Sequence, residues 1–146
     1  MSKTSQHFLT AAEEQEIIEA IRTAEKNTSG EIRVHLEHTA SKDTFERATE
    51  VFHLLKMDNT QLRNGVLIYL AVQDRAFVIC GDKGIDEAVP GNFWDTTRDV
   101  MASHFKKGDF KQGLIDGILK AGQQLQVHFP WQEGDKNELD DSISKG

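Results

Sequence analysis

Residues 64–81 read NGVLIYLAVQDRAFVICG, and this stretch gives the clearest indication of how the chain folds. Gly65 to Val72 is apolar at every position, which is typical of a central strand covered by helices on both faces. Arg75 to Cys80 is a second run, rich in β-branched and aromatic residues, and only Gln73 and Asp74 separate the two. Two such runs joined by two residues predict a tight β-hairpin.

The predicted hairpin brings two polar loops together. With Val72 opposite Arg75, counting back along the antiparallel ladder places Val66 opposite Gly81. The loop 57–64 before the first strand must then converge with the segment 81–87 after the second. The side chains that could supply oxygen ligands there are Asp58, Asn59, Asn64, Asp82, Asp86 and Glu87.

Four carboxylates at one place repel one another, by about 4 kcal/mol per pair at roughly 4 Å and an effective dielectric near 20. A divalent cation removes this repulsion. Oxygen donors on loops suit Ca²⁺, or Mg²⁺ with retained waters, better than Zn²⁺, and this many acids could hold two ions. The segment is not an EF-hand, because counting from Asp82 puts Phe93 where a glutamate is required. The alternative is that these acids are ordinary solvated loop residues.

Helix signals flank the hairpin on both sides. Thr10 to Glu13 has the spacing of a capping box, and Asp43 begins a second helix that ends near Met57. After the hairpin, Asn92 and Asp109 are predicted to cap two further helices. Three glycines on the last helix predict close packing against its neighbours: Gly113, Gly117 and Gly122.

The chain also contains one strand before the hairpin. Residues 31–37 alternate strictly between polar and apolar side chains, which predicts a strand at the edge of a sheet. The element order helix, strand, helix, strand, strand, helix, helix predicts an α/β fold, a three-layer αβα sandwich around a small mixed β-sheet. The helix between the first two strands makes them parallel. A short fourth strand is expected from residues 85–89 or from neighbouring loops.

Length and composition bound the function. The 146 residues, 38% hydrophobic and 28% charged, predict one domain over residues 9–131, followed by an acidic, polar and disordered tail over 132–146. The net charge of −7 argues against nucleic acid, whose binders carry a surplus of cations. The amino terminus lacks the apolar stretch of a secretory signal, and the longest apolar run, Gly65 to Val72, is too short for a membrane span. We therefore expect a soluble, cytoplasmic protein with no membrane partner.

Cysteine and tryptophan chemistry is limited. Cys80 is the single cysteine, which excludes an internal disulfide and any CxxC metal or redox site. We interpret it as a buried strand thiol without a nucleophilic role. Trp94 and Trp131 are interpreted as anchors of the core and of the tail. No catalytic residue is assigned from these patterns.

Several segments together resemble the TPM-domain family, which includes thylakoid-lumen acid-phosphatase-like proteins and photosystem repair factors. The similar stretches are residues 64–70 and 81–85 around the hairpin, 105–114 before the last helix, and 29–34 in the first strand. Coverage runs from about Leu9 to Trp131. The resemblance implies an αβα sandwich whose crossing loops are stabilised by divalent ions, most often Ca²⁺. It also implies that Asp58, Asp82, Asp86 and Glu87 are ligand positions, because they lie in the matching loops.

Three hypotheses of function follow. The first is a soluble module that binds divalent cations, with Ca²⁺ or Mg²⁺ ordering the loops and altering affinity for an unidentified protein partner. The second is a metal-dependent acid phosphatase that acts on phosphomonoesters. The third is an adaptor domain that docks another protein through its tail or the Trp131 region. The first is favoured, because no nucleophile or general acid stands beside the acids.

Overall fold

The structure is a computed structural model, and it describes residues 9–131, 139 and 141–146. Along the described residues, helices and strands follow in the order α1 (Ala11–Glu25), β1 (Glu31–Glu37), α2 (Thr44–Leu54), β2 (Gly65–Ala71), β3 (Ala76–Gly81), α3 (Lys83–Ala88), α4 (Asp95–Lys106), α5 (Phe110–His128) and β4 (Ser144–Lys145).

The sheet has the strand order β3-β2-β1-β4. The predicted parallel pairing of the first two strands is confirmed, with Val34 opposite Ile68. The predicted hairpin register is also confirmed, because β2 and β3 pair antiparallel with Val66 opposite Gly81. A mixed sheet with helices on both faces confirms the α/β sandwich predicted from the element order.

Two hydrophobic cores lie on the two faces of the sheet. On one face α1, α4 and α5 pack against the even-numbered side chains of β1 and β2, including Ile32 and Ile68. On the other face α2 packs through Val51 and Phe52 against Leu67 and other odd-numbered residues of β2. All seven residues of β2 are buried, as expected for a strand that carries a core on each side.

The turn of the hairpin is stabilised by a side chain from outside it. Arg75 has a φ of 52°, the left-handed conformation that lets a short turn end in a strand. The Asp74 carboxylate turns away from the hairpin and accepts hydrogen bonds from Thr39 Oγ1 at 3.0 Å and from the Ala40 backbone at 2.9 Å. The turn is thereby tied to the loop that follows β1.

Three of the predicted helix starts are confirmed. Thr10 and Glu13 form the reciprocal capping box, and Asp43 and Asp109 accept backbone hydrogen bonds at the starts of α2 and α5. The prediction of Asn92 as a cap is wrong, since α4 begins at Asp95. The chain turns between Pro90 and Asp95 first, and its two aromatic residues in that turn, Phe93 and Trp94, stack edge-to-face with ring centroids 4.6 Å apart.

The predicted close packing of the glycines on α5 is confirmed. A Cβ on Gly122 would lie 2.7 Å from the Cβ of Ala24 on α1. A Cβ on Gly117 would collide with Met101 on α4, and one on Gly113 with Phe105. The glycines therefore set how closely α5 approaches both neighbouring helices.

Three expectations about the sheet edge are corrected. The fourth strand is Ser144–Lys145 and pairs with β1, whereas residues 85–89 lie mainly in α3. Because β4 covers it, β1 lies inside the sheet. The described end of the segment predicted to be a disordered tail is therefore ordered, and residues 132–138 and 140 lie outside the described residues. The ordering comes from backbone pairing, which composition does not reveal: Gly146 donates its N–H to Leu36 O at 2.9 Å.

Within the described residues, none of the helices has both the length and the apolar content required to cross a bilayer.

Candidate functional site

The two polar loops converge at the Gly81 end of the hairpin, as predicted from its register. Asp82 N donates to Gly65 O at 2.9 Å, and Gly84 N donates to Arg63 O at 2.8 Å. A side chain on Gly84 would overlap the carbonyl oxygens of Leu62 and Arg63. This close backbone contact holds the start of α3 against the loop before β2.

Asp82 is the centre of this site. Its side chain is buried and accepts a hydrogen bond from Lys83 N at 2.7 Å at the start of α3. It also pairs with Arg63, whose Nε lies 3.1 Å from Oδ2. This hydrogen bond and the charge of Asp82 raise the pKa of Arg63, and the charge of Asp58 adds to the effect. A guanidinium of the chain itself therefore lies among the acids that were predicted to gather around a metal ion.

Asp86 is the second acid of the site. It is an exposed residue in the first turn of α3. Partial burial of its carboxyl and the nearby charge of Asp82 raise its pKa. The raised pKa indicates that Arg63 does not fully compensate the negative charge of Asp82 at the position of Asp86. The structure thus brings Asp82 and Asp86 together.

The other predicted site residues have separate contacts. The Asn64 side-chain amide donates to Ser29 O at 3.1 Å, and Asp58 lies 3.4 Å from His53 Nδ1. Glu87 is exposed and lies 4.0 Å from Lys83 Nζ, and Asn59 is exposed. Within residues 9–131, 139 and 141–146, no group of three or more His, Cys, Asp and Glu side chains has an arrangement that could hold a metal ion.

Cys80 borders the acidic site from β3. Burial and, after it, the charges of Asp86 and Asp82 raise the pKa of its thiol to about 11. The thiol is therefore protonated at neutral pH. A protonated thiol is a poor nucleophile and a poor metal ligand.

A buried polar network at the opposite end of β1 was not predicted. The Glu37 carboxylate accepts hydrogen bonds from Arg47 Nε at 3.0 Å, from the hydroxyl of Tyr69 at 2.5 Å and from the ring of His35 at 3.1 Å. His35 stacks on Tyr69 and contacts Ser144 Oγ at 2.8 Å through its other nitrogen. The sequence signal was the polar face of β1, which alternation alone assigns to solvent.

The pKa values of Glu37 and His35 are shifted in this network. Burial would raise the pKa of Glu37, but hydrogen bonds from Arg47, Tyr69 and His35 outweigh burial and lower it to about 2. Burial lowers the pKa of His35 despite the neighbouring carboxylate. At neutral pH the network therefore contains a charged Glu37 paired with Arg47 and a neutral imidazole. Its groups satisfy one another, as a structural network requires.

A second buried acid contacts the C-terminal segment. Glu25 on α1 is 3% exposed, and its Oε2 accepts from Ile32 N at 2.9 Å. Burial raises the pKa of Glu25 well above the ordinary range, and a hydrogen bond with Asp141 and the charges of Asp141 and Glu31 add to the rise. With its pKa raised in this way, Glu25 is protonated at neutral pH and its carboxyl can donate to Asp141. The pairing links positions more than a hundred residues apart.

A family model tests the resemblance that the sequence indicated. A model of the TPM domain matches residues 2–124. The chain belongs to the TPM domain family. Over its full length this TPM domain is similar to the BA42 protein of the psychrophilic bacterium Bizionia argentinensis, known from an NMR structure. The identity is 62%, the TM-score 0.93, and the match covers 100% of each chain.

Two more distant NMR structures share the fold of this TPM domain. The N-terminal domain of a P. gingivalis protein matches with a TM-score of 0.69 and 21% identity, over 86% of this chain and 83% of that one. The N-terminal domain of a Corynebacterium glutamicum protein matches with a TM-score of 0.64 and 13% identity, over 79% and 72%. A comparison with curated proteins found no match.

Proposed function

We propose that this TPM domain is a module that binds a divalent cation, Ca²⁺ in preference to Mg²⁺, at the acidic site between the loop before β2 and the start of α3. The observation that carries the proposal is the pair Asp82 and Asp86: partial burial of the Asp86 carboxyl, together with repulsion by the charge of Asp82, raises the pKa of Asp86. A second positive charge at this place relieves that repulsion.

The oxygen ligands at this site suit a hard cation, but Arg63 must move away from Asp82 before the cation can bind. Carboxylate oxygens are ligands that Ca²⁺ and Mg²⁺ prefer. Asp82 and Asp86 would hold the ion. Asp58 lies near enough for its charge to raise the pKa of Arg63. Asn59 and Glu87 are exposed neighbours in the same segments, and Asn64 positions its loop through Ser29. When bound, the cation supplies the positive charge that Arg63 now supplies.

Arg63 is therefore a competitor of the cation. Its side chain is 47% exposed whereas that of Asp82 is 6% exposed, so that the guanidinium can turn to solvent when a cation takes its place beside the buried carboxylate. We infer that the bound divalent cation replaces Arg63 as the counter-ion of Asp82. Ordering of the two loops by the ion would then alter the surface offered to a protein partner.

Calorimetric titration with CaCl₂ and MgCl₂ tests this proposal on the full chain. We expect Asp86→Asn to weaken Ca²⁺ binding about tenfold, the size expected for loss of one charge-assisted contact. We expect Arg63→Gln to strengthen binding, because it removes the competing charge. Asp99→Asn changes an exposed acid on α4 and should leave the affinity unchanged.

The opposite behaviour of the two variants is the informative result. Equal heats in the unmodified chain and Asp86→Asn would exclude Asp86 as a ligand. Weaker binding in Arg63→Gln would show that Arg63 supports the site instead of competing for it. Either result would contradict the proposal even if the protein binds Ca²⁺ elsewhere.

The phosphatase hypothesis stays a prediction. The thiol of Cys80 beside the site has a raised pKa, near 11, so a thiolate mechanism has no support there. Metal-dependent hydrolysis of p-nitrophenyl phosphate that is lost in Asp86→Asn would favour catalysis over binding alone. Hydrolysis that persists in Asp86→Asn would come from another site.

A further inference from the structure

A cavity lies at the turn end of the hairpin, away from the acidic site. It has a volume of about 300 Å³ and lies between the hairpin turn and the corner where α4 meets α5. Its apolar wall is formed by Leu70, Phe77, Phe105 and Phe110. This volume is at the lower end of the range for small-molecule sites.

The aromatic wall is held rigidly in place. The ring of Phe77 meets Phe105 edge-to-face with centroids 5.0 Å apart, and Phe105 stacks on Phe110 at 5.4 Å. Phe105 also fills the space that a side chain on Gly113 would take. A preformed apolar wall costs a ligand little ordering of the protein.

Two cations stand at this cavity. Arg75 ends the hairpin turn and Lys106 ends α4, and both residues line the cavity and are exposed. Among the described residues the structure gives neither side chain an ion pair, although the chain carries 24 acids against 17 Lys and Arg. The nearest acid in sequence, Asp74, is bonded to Thr39 and Ala40. The cavity therefore combines an aromatic wall with positive charge and has no carboxylate in its lining.

The position in the sheet agrees with a ligand site. Leu70 is the penultimate residue of β2, so the cavity opens at the carboxyl end of a parallel strand. In open α/β sheets ligands bind beyond the carboxyl ends of the strands. We propose that this cavity binds a small aromatic carboxylate, with its ring against the phenylalanines and its carboxylate between Arg75 and Lys106. The proposal uses none of the residues of the cation site.

NMR titration of the full chain with phenylacetate tests this proposal. We expect saturable shifts of the amide signals of Phe77, Phe105 and Phe110. Lys106→Gln and Arg75→Asn should each weaken binding roughly fivefold, as expected for an exposed charge pair. Asn tolerates the left-handed backbone at position 75. The matched control is Lys107→Gln, which removes the next cation along the chain, outside the cavity lining.

Two comparisons separate this site from non-specific binding. Phenylacetamide has the same ring without the charge and should bind more weakly, whereas acetate should produce no shifts at these residues. Ala102→Leu fills the cavity from α4 and should abolish binding while the spectrum stays that of a folded protein. Equal affinity for acid and amide, an equal effect of Lys106→Gln and Lys107→Gln, or no saturable shifts would each overturn the proposal.

Discussion

At the scale of single residues, Glu37 shows how a buried charge is made stable. The side chains of Arg47, Tyr69 and His35 all donate to its carboxylate, which is 4% exposed. A buried charge without such partners would cost several kcal/mol, roughly the magnitude of losing one member of a buried ion pair. The network therefore stabilises the fold only while it is complete.

Glu37→Gln is predicted to lower the free energy of unfolding by about 3 to 5 kcal/mol, because it removes the buried negative charge that pairs with Arg47 and leaves that guanidinium with Glu50 at the surface. Urea denaturation at neutral pH measures the change. Glu50→Gln is the control, since Glu50 pairs with Lys42 and Arg47 at the surface and its loss should lower the stability far less than the loss of Glu37. Similar losses in both variants would contradict a special role for burial.

The pH dependence of this effect follows from the sign of the shift. The pKa of Glu37 is lowered from an ordinary 4.5 to about 2, so its contribution is present above pH 4.5 and is lost as the pH falls toward 2. The difference in unfolding free energy between the unmodified chain and Glu37→Gln should accordingly shrink through this window. A constant difference would show that the substitution acts through packing alone.

At the scale of secondary structure elements, the contact between α1 and α5 is limited by one glycine. Gly122 faces Ala24, and the neighbouring atoms that a new Cβ would approach include backbone atoms of α1. Backbone atoms in a packed helix cannot move aside as a flexible side chain does. The approach of the two helices therefore depends on the missing methyl group.

Gly122→Ala is predicted to destabilise the domain by about 1 to 3 kcal/mol through overpacking. In an exposed helix the same change stabilises by up to about 1 kcal/mol, so the sign of the effect distinguishes the two cases. Gln123→Ala changes the adjacent exposed residue of α5 and should be nearly neutral. Thermal unfolding followed by circular dichroism measures both, and a stabilised Gly122→Ala would contradict the close contact.

At the scale of the whole molecule, titrating groups at both ends of the sequence meet around the same strand. Glu25 on α1 hydrogen-bonds Asp141 near β4, while Glu31 at the start of β1 and Arg22 on α1 are the neighbouring charged groups. Docking of the C-terminal segment is therefore coupled to the protonation of one buried carboxyl. Rising pH removes the proton with which Glu25 donates to Asp141.

Glu25→Gln is predicted to make the domain more stable than the unmodified chain as the pH rises above 4.5. The raised pKa of Glu25 means that its contribution is complete below 4.5, the ordinary value for glutamate, and declines as the pH approaches its folded-state value. Glutamine accepts from Ile32 N and donates to Asp141 at every pH. Thermal midpoints measured between about pH 5 and pH 8 should diverge in favour of the variant.

The control for this prediction is Glu19→Gln, an exposed glutamate of the same helix that pairs with Arg22. Its thermal midpoint should follow that of the unmodified chain across the same pH range. Parallel curves for Glu25→Gln and the unmodified chain would exclude a protonated Glu25 that donates to Asp141.

Local sequence patterns were enough to predict most helices and strands and the pairing of the central strands. Helix caps at Thr10, Asp43 and Asp109 and the hairpin register between Val66 and Gly81 were predicted and confirmed. They depend on interactions between residues close together in the chain, so that periodicity and turn length carry the information. The convergence of the two acidic loops follows from that register.

The pairs that charged side chains form could be seen from the tertiary structure alone. Arg63 forms an ion pair with Asp82. Glu37 accepts hydrogen bonds from Arg47 and Tyr69, and Glu25 hydrogen-bonds Asp141. The pairing of β4 with β1 likewise joins the last described residues to an inner strand of the sheet. Such partners are brought together by packing, and the free energy of a charge depends on its burial and neighbours, neither of which is encoded in local sequence pattern. The acids of the candidate site were therefore found from sequence, whereas their internal counter-ion was not.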